Sequence, residues 1–296
     1  MLCKSLTSVA LVMLWFAAAL NGEPPFHVVS DIPYCTGGGK QLLMDVFVPH
    51  HPVRNPTPSV LWLHGGGWER GDKNGSSGAR LLAGEGFVTA NIFYRLSGDS
   101  PFPANIEDSK CAIRYLRANA PKYGIDPARI GIAGASAGGH LAMLVATAQE
   151  DAGLEGTGGW SKTSSRVQAV ASWYGPSDFM VGETEFEHHT GRAVIKLFRG
   201  TREEKPSGYR LTSPITHVNS GDPPLLLVHG EQDVIVPFDQ ALRMKRAYES
   251  RKLTVEFIPV RNAGHDFSQV GDQPVSPSVG EVHRRTVLFF KRYLAE

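Results

Sequence analysis

The sequence has little cysteine, no excess of charge of either sign, and no internal repeat or low-complexity run. Its three cysteines, Cys3, Cys35 and Cys111, stand far apart, which excludes the closely paired ligands of a structural zinc site. The histidine pairs His50-His51 and His188-His189 have no carboxylate or cysteine at ligand spacing, so neither a metal nor any other cofactor is expected. Basic and acidic residues number 30 and 29. Setting aside Lys4, which falls in a targeting segment, leaves 29 against 29. A nucleic-acid partner needs a basic stripe to neutralise phosphates, and this balance argues against one.

The first residues carry their own signal. Lys4 precedes an apolar run from Leu6 to Leu20, and Ala17-Ala18-Ala19 and Gly22 offer small residues for cleavage. Residues 1–22 read as a secretory signal peptide, with an uncleaved membrane anchor as the alternative. Secretion or export to a periplasm is expected, with no membrane attachment after cleavage. Cys3 is lost with the signal. In an oxidising compartment Cys35 and Cys111 could pair. Cys111 sits within a helix-like run and Cys35 beside a Gly-rich turn, and two separate thiols are the favoured reading.

What is present points to acyl chemistry. Gly134-Ala135-Ser136-Ala137-Gly138 lies between a short apolar strand, Arg129 to Ala133, and an apolar helix beginning near Gly139. A serine on a sharp strand-to-helix turn is a nucleophile elbow: small neighbours allow the turn, and the helix N-terminus aims N–H groups at an oxyanion. Well upstream, Val60-Leu61-Trp62-Leu63 runs into His64-Gly65-Gly66-Gly67-Trp68. Consecutive glycines let backbone donors approach a ligand. The N–H groups of Gly66, Gly67 and Ala137 are therefore the candidate oxyanion hole, with Gly65 as the alternative, and His64 is expected to support the loop through hydrogen bonds.

The base and its orienting acid should follow the serine in the chain. Pro224 to Val228 reads as a strand, and Asp233 stands beyond its end, with Glu231 as the rival acid. After the strand Leu253 to Val260 comes Gly264-His265-Asp266, and His265 is the candidate base. The expected catalytic set is thus Ser136, Asp233 and His265. His140 faces either the core or the pocket, and His229 and Asp178 are expected to be structural. Trp68, Trp160 and Trp173 are candidates to line a pocket, and Tyr94-Arg95-Leu96 to border it.

These motifs resemble the α/β-hydrolase superfamily, more narrowly the bacterial esterase/lipase group related to hormone-sensitive lipase, with its carbohydrate acetyl- and feruloyl-esterase-like members. The resemblance extends over nearly all of the mature chain. It includes Tyr123-Gly124-Ile125-Asp126-Pro127, Tyr174-Gly175-Pro176-Ser177-Asp178 and Val236-Pro237 besides the segments above. It implies a serine carboxylesterase acting on a small-molecule or carbohydrate ester, through a Ser-His-Asp triad and an acyl-enzyme. Two departures stand out: Ala135 precedes the serine where relatives have Asp, and Asp266 follows the histidine where Gly is common.

Strands alternating with helices imply an α/β fold with a mostly parallel central sheet and helices on both faces. Residues 23–296 read as one domain of this kind. Phe26 to Tyr34 and Lys40 to Val48 read as a hairpin turning at Gly37-Gly38-Gly39. Helices are expected over Asn105 to Ala120 (ended by Pro121), Gln240 to Ser250 and Val279 to Leu294. Glu150 to Ser165 reads as a loop. Pro176 to Pro214, with Glu183, Glu185, Glu187, His188 and His189 clustered, reads either as a small lid of one or two helices or as a surface excursion with no role in substrate choice. Two other functions fit the motifs less well. A dipeptidyl-peptidase-like serine peptidase usually carries a β-propeller, for which the chain has no room, and an inactive binding module usually loses the serine or histidine retained here.

Overall fold

The computed structural model describes residues 23–75, 77–181 and 188–296. The expected signal peptide and Glu183, Glu185 and Glu187 lie outside the described residues, as do the side chains of His188 and His189. Among the described residues the strands are β1 (Phe26–Gly37), β2 (Lys40–Pro49), β3 (Thr57–Leu63), β4 (Val88–Ile92), β5 (Ile125–Ala135), β6 (Ala169–Trp173), β7 (Leu225–Gly230) and β8 (Val255–Val260). They form one sheet in the order β1-β2-β4-β3-β5-β6-β7-β8. β2 is antiparallel to both β1 and β4, and all pairings from β4 to β8 are parallel. This is the helix-flanked, mostly parallel sheet of an α/β hydrolase.

The amino acids explain the layers. Central parallel strands are covered on both faces, so they read as continuous apolar runs rather than alternating ones. Successive side chains still point to opposite faces. Leu61, Leu63, Ile130, Ile132, Leu225 and Leu227 therefore belong to one core. Val60, Trp62, Ala133, Leu226 and Val228 belong to the other. The first core is closed by helices Ala104–Ala118 and Ala137–Thr147, the second by helices Ser77–Gly84 and Val279–Phe290. The hairpin turns at Gly38 and Gly39, with φ of 56° and 76°. That pair of left-handed residues makes a two-residue loop whose twist matches the strands.

Several expectations change. Helix Ala104–Ala118 ends before Asn119, and Pro121 lies inside a second short turn, Ala120–Tyr123, where its missing N–H is harmless. Helix Ser77–Gly84 was not signalled by its short, small-residue sequence. The 176–214 segment forms helices His188–Phe198 and Pro206–Thr212. Segment 150–165 is largely irregular beyond a short 3₁₀ turn, Glu150–Ala152. It is held down by charge: Glu155 accepts from Lys110 Nζ at 2.6 Å and from Arg114 at 2.8 Å.

Cys35 and Cys111 form a disulfide, which corrects the reading of two separate thiols. β1 lies against helix Ala104–Ala118, so two positions 76 residues apart in the chain meet. Cross-linking so long a loop restricts the unfolded chain. Replacing both cysteines by serine is expected to cost about 2–4 kcal/mol of stability, read as a lower urea midpoint. An unchanged midpoint would show that the bridge contributes nothing.

Candidate active site

The parallel strands all end on one edge, and that edge is where an open α/β sheet gathers its functional loops. His64 follows β3, Ser136 follows β5, Tyr174 follows β6, Asp233 lies beyond β7 and His265 beyond β8. The serine turn is tight. Ser136 has φ 54° and ψ −121°, a region that non-glycine residues adopt only when the surroundings enforce it. Its N–H is fixed by the Trp173 carbonyl at 2.8 Å, and its carbonyl accepts from His140 N–H at 3.0 Å. A Cβ on Gly138 would collide with the Leu63 and His64 carbonyls, so the elbow packs directly on β3 only with glycine there.

The structure brings all three candidate catalytic side chains together. Asp233 Oδ2 lies 2.8 Å from His265 Nδ1, and His265 Nε2 lies 3.1 Å from Ser136 Oγ. The three side chains are therefore joined by an unbroken run of contacts. Asp233 Oδ1 accepts from the N–H groups of Ile235 and Val236, each at 2.9 Å. Burial alone would raise this carboxyl, but His229, His265 and the Val236 N–H hold it well below the usual carboxylate range. Glu231, the rival acid, is exposed, whereas the Asp233 side chain is fully buried.

His229, expected to be structural, is buried beside the candidate acid. Its Nε2 lies 2.8 Å from the Val236 carbonyl and 3.2 Å from Asp233 Oδ2. No local pattern marks this, because the contact depends on the turn after β7. Asp266 has φ 57°, the left-handed conformation that explains why glycine is common at this position. Asp is among the side chains that tolerate it. Asp266 also engages the Tyr174 hydroxyl, and burial with that carboxylate pushes the hydroxyl up. The Tyr174 ring packs edge-on against His265 at 4.7 Å. Neither Tyr174 nor His229 stood out in the sequence as part of the site.

The glycine loop forms the facing wall. Gly65, Gly66 and Gly67 line the cleft with Ser136 and His265. Ala137 is the first residue of its helix, so its N–H has no intrahelical partner. Among the described residues the N–H groups of Gly66 and Gly67 also meet no protein acceptor. His64 supports the loop as expected. Its ring stacks on Tyr94 at 4.1 Å, its Nδ1–H donates to the Gly65 carbonyl at 2.7 Å, and Tyr94 OH donates to the His64 carbonyl. Burial lowers its basicity.

His140 faces the core. Trp68 Nε1–H donates to its Nδ1 at 3.2 Å, and its Nε2–H donates to the Thr212 carbonyl at 2.8 Å. The indole can only donate, so the ring must be neutral, and burial pushes its pKa down to about 4. It thereby links the glycine loop to the 176–214 segment. A folded-state pKa below the unfolded value of about 6.5 means that the unfolded chain takes up the proton first as pH falls. Stability is then complete above about pH 6.5 and is lost progressively toward pH 4, by roughly 3 kcal/mol. Urea midpoints at pH 7.5 and 4.5 should fall further for wild type than for His140→Gln. Equal falls would remove His140 as the cause.

The cleft has a volume of about 870 Å³ and takes residues from the 176–214 segment, including Arg192, Ala193 and Lys196. Of the three tryptophans, Trp68 lines it. Trp173 is buried beneath the elbow, and Trp160 lies elsewhere, its Nε1 donating to the Tyr34 carbonyl. Tyr94 and Arg95 do not border it: Tyr94 is buried under the glycine loop and Arg95 is paired with Asp108. Asp178 caps the Met180 N–H at 2.9 Å, as a structural residue would. Among the described residues no group of three or more His, Cys, Asp and Glu side chains is placed to hold a metal ion.

A family model described as BD-FAE matches residues 44–248. Among curated proteins, esterase LipQ of Mycobacterium tuberculosis is 31% identical over 266 residues, covering 86% of this chain and 63% of LipQ. Esterase LipC of the same organism is 30% identical over 266 residues, covering 85% and 65%. The chain thus spans just under two thirds of the length of these relatives. Among solved structures, a truncated form of a carbohydrate esterase from gut microbiota matches with a TM-score of 0.79 at 26% identity, over 93% of this chain and 99% of that one. A bifunctional GH43-CE protein of Bacteroides eggerthii matches with a TM-score of 0.76 at 30% identity, over 90% of this chain and 38% of that one.

Proposed function

This chain belongs to the BD-FAE family of α/β hydrolases, and we propose that it is a serine carboxylesterase acting on short acyl esters, among them acetylated carbohydrates. The observation that carries this reading is the unbroken sequence of contacts from Asp233 through His265 to Ser136. Ser136 Oγ attacks the ester carbonyl while His265 Nε2 takes its proton. The N–H groups of Gly66, Gly67 and Ala137 receive the oxyanion, each donor contributing about 10²–10³-fold. His265 then protonates the leaving alcohol, and the acyl group remains on Ser136. Water, activated by the same imidazole, releases the acid. Asp233 holds the Nδ1–H tautomer and stabilises the imidazolium.

The lining supports short acyl groups. Glu69, Arg70, Arg192, Lys196 and Asp266 share it with Ile235 and Val236. A long alkyl chain would desolvate those charged groups without pairing them. The carbohydrate reading is supported by similarity to the carbohydrate esterase described above. Hydrolysis of p-nitrophenyl acetate, butyrate, octanoate and palmitate tests it. We expect kcat/KM to fall by more than about tenfold from acetate to octanoate, with acetate released from acetylated xylan. A folded protein that cleaves none of these, or prefers palmitate, would contradict it, and cleavage of an aminoacyl-naphthylamide would favour a peptidase.

We also read the protein as exported, with residues 1–22 removed. Lys4 with the apolar run after it supports this, and so does a disulfide, which persists in oxidising compartments. N-terminal sequencing of protein recovered outside the cytoplasm should begin near Glu23. A chain retaining Met1 would contradict export with cleavage.

A further inference from the structure

The cleft is larger than an acetyl group requires, and the charged residues at its mouth are unevenly matched. Lys196 Nζ is paired with Glu69 at 2.8 Å, and Asp266 engages the Tyr174 hydroxyl. Arg70 lines the same cleft and is exposed, and among the described residues its guanidinium has no hydrogen-bond or ion-pair partner. Its placement is set by the glycine loop. The Arg70 N–H donates to the Gly66 carbonyl at 3.2 Å, and the Arg70 stem lies against Gly66, where a side chain would meet its Cγ at 3.1 Å. The preceding glycine lies against the nucleophile: a Cβ on Gly65 would sit 3.3 Å from Ser136 Cβ. A guanidinium with no partner among the described residues therefore stands on the loop that supplies the candidate oxyanion donors, in a cleft with room for the remainder of the substrate.

We propose that this cleft selects esters carrying a carboxylate on the part of the substrate away from the scissile bond, and that Arg70 is the residue that recognises it. Guanidinium is suited to this: it stays charged at all working pH values and presents parallel donors that match a carboxylate fork. The substrate class is an anionic ester, such as an acetylated uronide on the alcohol side or a dicarboxylic half-ester on the acyl side. This rests on the esterase reading of the same site and narrows it.

The test uses two pairs of substrates in which a carboxylate is exchanged for its primary amide. One pair is an O-acetylated methyl galacturonide and the corresponding galacturonamide. The other is p-nitrophenyl hemisuccinate and p-nitrophenyl succinamate. In low salt, wild type should favour the acid by about three- to tenfold in kcat/KM in at least one pair, the range of a partly exposed charge pair. The pair that responds tells whether the charge sits on the alcohol or the acyl half. The ratio should fall to about one in Arg70→Gln, drop below one in Arg70→Glu, and shrink for wild type in about 0.5 M salt. A structural role for Arg70 would not invert the ratio. A wild-type ratio near or below one in both pairs, with the amides cleaved, overturns the anionic selectivity and leaves the esterase reading standing. A preference that survives in both variants overturns the assignment to Arg70. Failure to cleave any member overturns both readings.

Discussion

Ser136→Ala is expected to lower kcat on p-nitrophenyl acetate by about 10⁶-fold, leaving only what positioning and the oxyanion donors supply. The loss should come without unfolding. Ser136 Oγ makes one hydrogen bond among the described residues, to His265 Nε2, and alanine keeps every backbone contact of the elbow. The melting midpoint should therefore stay close to that of wild type while turnover vanishes. Because the strain at φ 54°, ψ −121° is a backbone property, Ser136→Gly should be more stable than either, by about 1–3 kcal/mol, with activity equally absent. A Ser136→Ala enzyme that keeps more than about a thousandth of wild-type kcat would place the nucleophile elsewhere, since the oxyanion donors and binding alone do not sustain more than that.

Asp233→Asn should cost about 10⁴-fold in kcat with little change in KM. Asp233 Oδ1 accepts from the Ile235 and Val236 N–H groups, and Oδ2 faces His265 Nδ1 and His229 Nε2. An asparagine must keep its oxygen toward the two N–H groups, which turns its NH₂ toward His265. The ring then accepts at Nδ1 and carries its proton on Nε2, so it cannot take the proton of Ser136. Steady-state kinetics on p-nitrophenyl acetate decides the point. Retention of more than about a tenth of wild-type kcat would mean that the orienting role lies with another group, and Glu231→Gln would be the next variant to measure.

The candidate site residues could be picked out of the sequence because each stands at a punctuation point of the chain. Ser136 sits between an apolar strand and an apolar helix, His64 to Gly67 directly after a strand, and Asp233 and His265 after the last two strands of the sheet. In a parallel sheet those points are neighbours whatever their separation in sequence. The supports were not legible, because they depend on side chains that meet across elements. Lys110 is a buried lysine in helix Ala104–Ala118, and its partner Glu155 lies in a stretch that reads as a loop. Cys35 and Cys111 gave no sign of proximity because nothing local records that β1 crosses helix Ala104–Ala118. His140 and His229 are single histidines whose meaning comes from Trp68, Thr212 and Asp233, all distant or beyond a turn. Asp266 departs from the family pattern, and its left-handed backbone accounts for the glycine common there without a loss of local geometry.

The nucleophile assignment is best tested by treating the protein with a fluorophosphonate and locating the adduct by intact mass and peptide mapping. Such a reagent reacts with a serine only where a neighbouring base activates it. One phosphonyl group per chain, on Ser136, with no labelling of Ser136→Ala, is the expected result. A folded wild-type protein that stays unlabelled, or that carries the label on any other residue, would contradict it.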